Sequence, residues 1–330
     1  MTRADFDVIG IGNAIVDVLS HADDAFLATN GIEKGGMTLI DTARAETLYA
    51  LMGAGREVSG GSAANTMAGI ASLGGRAAYI GKVRDDQLGA VFARDIRASG
   101  VRFTTNPATS GAPTARCLIL VSPDAQRSMN TFLGACVDLG PEDVDESEIA
   151  AAKITYLEGY LWDPPRAKEA FLKAAAAAHR AGRQVSLSLS DAFCVNRYRK
   201  EFLDLVTSHI DILFANEAEI LALFEAASFE DAVKAVRATG TLTVLTRGAA
   251  GATVVGRDGV ITVPAASVAK VVDTTGAGDL FAAGFLYWYT NGRSLEDSAR
   301  IGAIAAAEVI SHVGARPEVA LAGLLGPKLG

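Results

Sequence analysis

From Pro141 onward, apolar positions fall into a regular alternation of short buried runs and longer stretches with helical spacing. A helix over Pro141–Ala152 precedes a strand over Ile154–Glu158, and a helix over Pro165–Ala181 precedes a strand over Gln184–Leu189. The run Ile210–Ala215 leads into a helix over Glu217–Glu225, and Leu242–Arg247 is a further strand before a hairpin over Ala252–Val263. Helices over Leu280–Tyr289 and Leu295–Ser311 close the series. Strands alternating with helices of this length imply right-handed crossovers and a mainly parallel sheet, whose ligands bind at the carboxyl ends of the strands. Before Pro141 the pattern is less regular. Phe6–Gly12 reads as a first strand, Gly35–Ile40 as a short alternating segment, and Ala43–Met52, Ser62–Leu73 and Asp86–Ser99 as helices. Val101–Thr105, Thr114–Val121 and Arg127–Leu133 form a β-rich section, with Ser122-Pro123-Asp124-Ala125 as a hairpin turn.

Composition bounds this picture. The chain has 330 residues, half of them apolar and 21% charged, which excludes a disordered class and supports a sizeable core. A net charge of −8 argues against non-specific binding to nucleic acid or a membrane surface. No apolar run reaches spanning length and no cationic leader opens the chain, so a cytoplasmic location is expected. Cys117, Cys136 and Cys194 form no CxxC pair, and His21, His179, His209 and His312 lack ligand spacing, so no disulfide framework or zinc site is indicated. No linker, repeat or low-complexity tract divides residues 1–330, which read as one domain.

Two glycine-bearing stretches carry candidate chemistry. In Asp273-Thr274-Thr275-Gly276-Ala277-Gly278-Asp279, a glycine-rich turn opens a helix and aims backbone N–H groups at one point, a geometry suited to phosphate. It is no Walker loop, because no Gly-Lys-Ser/Thr follows, and Phe281 occupies the third glycine position of a dinucleotide fingerprint. An acid at the same helix start repels the anion, unless Asp279 takes a proton from a hydroxyl attacking the bound phosphoryl group. In Ser59-Gly60-Gly61-Ser62-Ala63-Ala64-Asn65, Ser62 is a suitable N-cap, while Asn65 is a polar intrusion on a small, apolar helix. Gly10-x-Gly12 suggests a nicotinamide cofactor, but Ile15 stands at its third position and no helix begins there. Asn13 and Asp17 are either turn formers or a polar pair for a polyol. Asn216, Glu217 and Glu219 open a helix in the manner of capping residues.

Taken together, these segments resemble the ribokinase-like (PfkB) family of sugar and nucleoside kinases. Gly60 to Asp86 resembles its N-terminal signature and Asp273–Asp279 its C-terminal one, in the right order. The resemblance implies a three-layer α/β/α fold with a mostly parallel sheet and a small β lid, drawn from about residues 12–41 and 101–134. It implies ATP-dependent phosphorylation of a primary hydroxyl, with Asp279 as base and the amides of Gly276, Ala277 and Gly278 as an anion hole. The acceptor would be held by Asn13, Asp17, Leu39, Gly60, Gly61, Ser62, Asn65, Met129, Thr131 and Leu133. ATP would meet Thr246, Gly248, Gly251 and Thr275, with Mg²⁺ organised through water by Asn216 and Glu219. His312–Pro317 would wall the adenine, Arg127 would be a solvated turn residue or a phosphate contact, and potassium would sit near Asp273 and Thr275. Asn13–Asp17, Met37/Leu39 and the apolar Met129–Leu133 face most resemble the branch that phosphorylates the 5′-hydroxyl of adenosine to give AMP. The alternatives are a kinase for ribose, fructose or another nucleoside, or a catalytically inactive binding member of the fold. The partners implied are small molecules alone, in a monomer or homodimer.

Overall fold

The computed structural model describes residues 4–53, 55–124 and 126–325, so Ala125 of the expected hairpin turn lies outside the described residues. The chain opens with β1 (Phe6–Ile11), β2 (Ile15–His21), α1 (Asp24–Thr29), β3 (Met37–Leu39), α2 (Thr42–Leu51) and β4 (Arg56–Gly60). Next come α3 (Ser62–Ser72), β5 (Ala77–Ile80), α4 (Gln87–Ala98), β6 (Arg102–Phe103), β7 (Ala115–Val121) and β8 (Arg127–Phe132). Then α5 (Glu146–Ala150), β9 (Ala152–Glu158), α6 (Pro165–Arg180), β10 (Gln184–Ser188), α7 (Ala192–Ser208) and β11 (Ile212–Asn216) follow. The last third holds α8 (Glu217–Phe224), α9 (Phe229–Thr239), β12 (Leu242–Thr246), β13 (Ala252–Gly256), β14 (Gly259–Val263), α10 (Ala277–Thr290) and α11 (Leu295–Val309).

Nine strands form the main sheet in the order β14-β13-β12-β11-β10-β9-β1-β5-β6. All pairings from β12 to β6 are parallel, and the hairpin β13–β14 adds an antiparallel edge. Helices cover both faces, so neighbouring strand residues enter different cores. Val8 joins the core that holds the buried faces of α3, α10 and α11, whereas Ile9 joins the one that holds those of α6, α7, α8 and α9. This is why the inner strands read as continuous apolar runs rather than alternating ones.

A second, five-stranded sheet runs β3-β8-β7-β2-β4. Here the fold departs from the sequence expectation. The strand expected at Val101–Thr105 is β6, and it pairs with β5 at the edge of the main sheet, not in the second sheet. Its Phe103 is buried against Phe92 of α4, with ring centroids 5.4 Å apart, which holds it there. The second sheet takes β2, within the expected residues 12–41, and adds β4 from outside them; the two pair from Ile15↔Gly60 to Leu19↔Arg56, so the Asn13–Asp17 stretch runs into a strand and Arg56–Gly60 forms an edge. The helix expected over Pro141–Ala152 splits into a 3₁₀ turn at Pro141–Asp143 and the short α5, because Ala152 already begins β9. Helices α7 and α9 complete the crossovers.

Between β1 and β2 the chain steps from one sheet to the other through Gly12. A Cβ at Gly12 would stand 2.3 Å from Glu158 Oε2 and 2.7 Å from the Ala63 Cβ, so only glycine fits at this crossing. The carboxyl ends of β1, β9, β11 and β12 deliver Asn13, Glu158, Asn216 and Thr246 to one side of the main sheet, beneath the second sheet.

Candidate active site

A cavity of about 1150 Å³ lies between the two sheets. Its floor is the meeting point of two helix starts. Helix α10 opens at Gly276, in the left-handed region at φ 80°, with no side-chain cap. A Cβ on Gly276 would meet the Ala315 Cα at 2.8 Å, whereas one on Gly278 would meet nothing within 4 Å. Gly276 is therefore required by the turn and its packing, and Gly278 faces open space. The Ala277 N–H donates to the Thr274 carbonyl at 3.2 Å, so that amide belongs to the turn.

Helix α3 meets α10 there. Its N-cap is Gly61, at φ 95°, and not Ser62 as the sequence suggests. Ser62 is the first helical residue, and its hydroxyl donates to Asp279 Oδ1 at 2.6 Å. Asn65 Nδ2 donates to Asp279 Oδ2 at 3.1 Å, while Asn65 Oδ1 accepts from Arg316 Nε at 2.7 Å. Desolvation raises the Asp279 carboxyl above its ordinary value, against the opposing pull of these two donors and of Arg316. A charged carboxylate holding two directed donors is a competent proton acceptor.

Further acids surround it. Glu158, at the end of β9, accepts from Asn13 Nδ2 at 2.7 Å and from the Ala63 N–H at 2.8 Å, and burial lifts it to about 7. Sequence reading placed Glu158 in a strand and assigned it no part in the site; its partners lie 145 and 95 residues away. Asp17 projects from β2 into the cavity, and desolvation brings it to about 6 despite Arg127 and Arg316. The glycines expected to admit ligand here are required by the chain's own packing, and Gly61 also lines the cavity. A Cβ on Gly60 would lie 2.4 Å from Asp17 Oδ2, and one on Gly61 would lie 2.2 Å from the Asn13 carbonyl oxygen.

On the other side, Asn216 and Glu219 form a complete capping box. Asn216 Nδ2 donates to Glu219 Oε1 at 2.6 Å, and Glu219 N donates to Asn216 Oδ1 at 2.9 Å. Burial and the nearby Asp191 raise Glu219 to about 7. Both line the cavity, as does Thr246. Gly248 and Gly251 do not; they close the turn after β12, where the Gly251 N–H donates to the Gly248 carbonyl at 3.0 Å. Among the described residues no cluster of three or more His, Cys, Asp or Glu is arranged to hold a metal. At this end of the cavity Asn216, Glu219 and Thr246 offer hard oxygens, a donor set that would suit a magnesium ion keeping most of its water.

Arg127, on β8, is neither a solvated turn residue nor free. It forms an ion pair with Asp273 and donates to Thr275 Oγ1 at 3.0 Å, tying the second sheet to the glycine turn. Burial pushes Asp273 up, but the Gly314 amide, Thr275 and Arg127 outweigh it and hold the carboxyl below its ordinary value. The region expected to attract potassium thus already contains a guanidinium.

The roof is apolar. Leu39, Met129, Thr131 and Leu133 line it as expected, together with Met37, Ile15, Cys117 and Ile119. Met37 and Leu39 are 54% and 59% exposed, unusual for large apolar side chains pointing at a cavity. Tyr160 and Phe193 line the same cavity, the latter 71% exposed; neither was read from the sequence.

A doubly covered parallel sheet, a five-stranded second sheet and a glycine turn with an acid at its helix start define a ribokinase-like phosphotransferase fold. The profile of the pfkB family carbohydrate kinases matches residues 32–320, and the chain belongs to that family. It is 55% identical to an adenosine kinase from Sinorhizobium meliloti, with a TM-score of 0.90 and 97% of this chain and 98% of that one covered. A probable sugar kinase from Rhizobium etli is 53% identical, with the same TM-score and coverage. An ATP-dependent ribose-1-phosphate kinase from Halopiger xanaduensis is 33% identical over 76% of this chain and 81% of its own length. The protein is an enzyme that transfers a phosphoryl group to a hydroxyl. No helix among the described residues is long and apolar enough to cross a membrane.

Proposed function

We propose that the chain phosphorylates the 5′-hydroxyl of adenosine with ATP. The observation that carries this reading is the split character of one cavity. Asn13, Ser62 and Asn65, joined by Asp17 from the second sheet, give it a hydrogen-bonding region beside Asp279, while Met37, Leu39, Met129, Leu133 and the Tyr160 and Phe193 rings give it an otherwise apolar roof and wall. A ribose needs the first surface and a planar base needs the second. A free sugar, with hydroxyls all round, would leave the exposed Met37 and Leu39 without a partner. The Sinorhizobium meliloti relative supports the same reading.

In the reaction, Asp279 accepts the proton of the 5′-hydroxyl as its oxygen attacks the γ-phosphorus. The bond to the β-phosphate oxygen breaks and ADP leaves. Backbone N–H groups at the start of α10 stabilise charge on the transferred group. Asn216 and Glu219 would hold a magnesium ion through water, and the ion would supply positive charge against the triphosphate. Neither group needs to be remodelled, since Asn216 and Glu219 already hold each other.

The test is an ADP-release assay over adenosine, inosine, guanosine, ribose, ribose 1-phosphate and fructose. The expected outcome is a kcat/KM for adenosine at least tenfold above every other acceptor. If ribose, its phosphate or fructose exceeds adenosine, the acceptor assignment is wrong. The Rhizobium etli and Halopiger relatives favour that second reading.

A further inference from the structure

We infer that Arg316 is a positioning residue that fixes Asn65, and through it Asp279, in the geometry and charge state the reaction requires. The inference rests on Asp279 as the base, and adds to it a residue outside both glycine-bearing stretches. Arg316 follows Ala315, whose backbone packs against Gly276, and the Gly314 N–H donates to Asp273 Oδ2 at 2.9 Å. The turn 312–317 is thereby docked on the glycine loop, and its arginine reaches across to α3.

There the guanidinium donates from all three nitrogens. Nε goes to Asn65 Oδ1 at 2.7 Å, Nη2 to Ser59 Oγ at 3.0 Å and Nη1 to Ser99 Oγ at 3.3 Å. Among the described residues these partners are all neutral oxygens. Ser59 is itself held by Asp95, to which its N–H and its hydroxyl both donate at 2.7 Å. The chain of contacts thus runs Asp95, Ser59, Arg316, Asn65, Asp279.

Chemistry gives this chain a direction. An arginine can only donate, so Asn65 must present its oxygen to Arg316. Its amide nitrogen then faces Asp279 Oδ2, where the partner that suits it is an ionised carboxylate. Without Arg316 the Asn65 amide is free to flip, and its oxygen would confront the carboxylate. A lysine at 316 keeps the charge but not the fork that spans Asn65, Ser59 and Ser99. The other titratable groups facing Asp279 are Asp17 on β2, Glu158 and Tyr156 on β9 and Tyr160 beyond it; those facing Arg316 are Asp95, Asp17, Tyr79 and Asp279. All of them are acids or phenols. Arg316 therefore opposes the desolvation that raises the Asp279 carboxyl.

A double-mutant cycle tests this. Arg316→Lys, Asn65→Ala and the double variant are assayed for kcat, ATP KM and the acid limb of the kcat profile, beside Arg316→Met and Asp279→Asn. Arg316→Lys is expected to lower kcat about tenfold with ATP KM within threefold of the parent and the acid limb near its original position. Arg316→Met is expected to move that limb to higher pH. In the Asn65→Ala background, Arg316→Lys should cost less than threefold, because the residue it acts through is gone. Additive losses, or an Arg316→Lys enzyme with unchanged kcat, would overturn the inference. The cycle needs only the lysine variant, so it decides the matter even if Arg316→Met does not fold. If Asp279→Asn retains near-normal turnover, the base assignment itself fails, which is a separate result.

Discussion

At Asp279 two effects oppose each other. Removing a carboxylate from water raises its pKa, while donors aimed at the charged form lower it. Here desolvation is the larger, and Ser62, Asn65 and Arg316 recover part of the loss. The result is an acid with a raised affinity for a proton, held by two directed donors, with the open space over Gly278 beside it. Asn at 279 would keep the size and remove the basicity. Asp279→Asn is accordingly expected to lower kcat by roughly 10²–10⁴-fold, the usual worth of base catalysis, while leaving ATP affinity within a few-fold. Steady-state kinetics with a fluorescence or calorimetric measurement of ATP binding checks both halves. A variant that loses binding and turnover together would place Asp279 in nucleotide binding instead.

The proposed base is only as well placed as the two helices that carry it. Helices α3 and α10 touch through small residues, and a Cβ at Gly69 would lie 2.7 Å from the Ala283 Cβ and from Leu280 Cδ1. Leu280 can rotate away; the Ala283 methyl cannot. Gly69→Val would therefore push α3 off α10, separating Ser62 and Asn65 from Asp279. Overpacking of this kind costs about 1–3 kcal/mol, read as a lower denaturation midpoint. It should also depress kcat in protein that is still fully folded at assay temperature. An unchanged kcat in that folded protein would show that the helix contact does not position the site. The regular helices and inner strands were legible in the sequence because their apolar spacing is set by burial on one stripe or on both faces. β2 and β4 were not. Asp17 lies among apolar residues whose polar neighbour only makes sense once a cavity faces it, and the Ser59–Gly61 stretch looks like a turn although Gly60 ends a strand whose missing Cβ makes room for Asp17. Asp279, Asn65 and the glycine turn were legible because their chemistry is local. Glu158 and Arg316 were not, because their meaning lies in contacts 145 and 251 residues away.

Across the whole molecule, the cavity gathers more acids than it can neutralise by itself, and this has a thermodynamic consequence. Glu158 and Glu219 stand at about 7 and Asp17 at about 6, against ordinary values of 4.5, 4.5 and 3.8. The folded chain therefore holds protons that the unfolded chain has released over the window from about pH 4.5 to about pH 7. Their contribution to stability is whole below the ordinary values and is lost as pH rises through the raised ones. Asp7, Asp124 and Asp273, whose carboxyls are held below their ordinary value, contribute in the opposite sense, but they lose stability only on the acid side of that window. Ligand-free protein should thus melt at a lower temperature at pH 8 than at pH 5, by an amount equivalent to a few kcal/mol on the order expected for groups so displaced. Glu158→Gln should flatten the slope. If ligands bind as proposed, ribose hydroxyls donating to Asp17 and a hydrated cation beside Glu219 would favour the charged forms, so the rise in melting temperature caused by adenosine with Mg·ATP analogue should be larger at pH 8 than at pH 5.5. Thermal unfolding at four or five pH values, with and without ligand, measures all three effects. A melting temperature that climbs steadily from pH 5 to pH 8, with Glu158→Gln following the same line, would mean that these acids are not strained by the fold and that the cavity does not depend on its ligands to balance its charge.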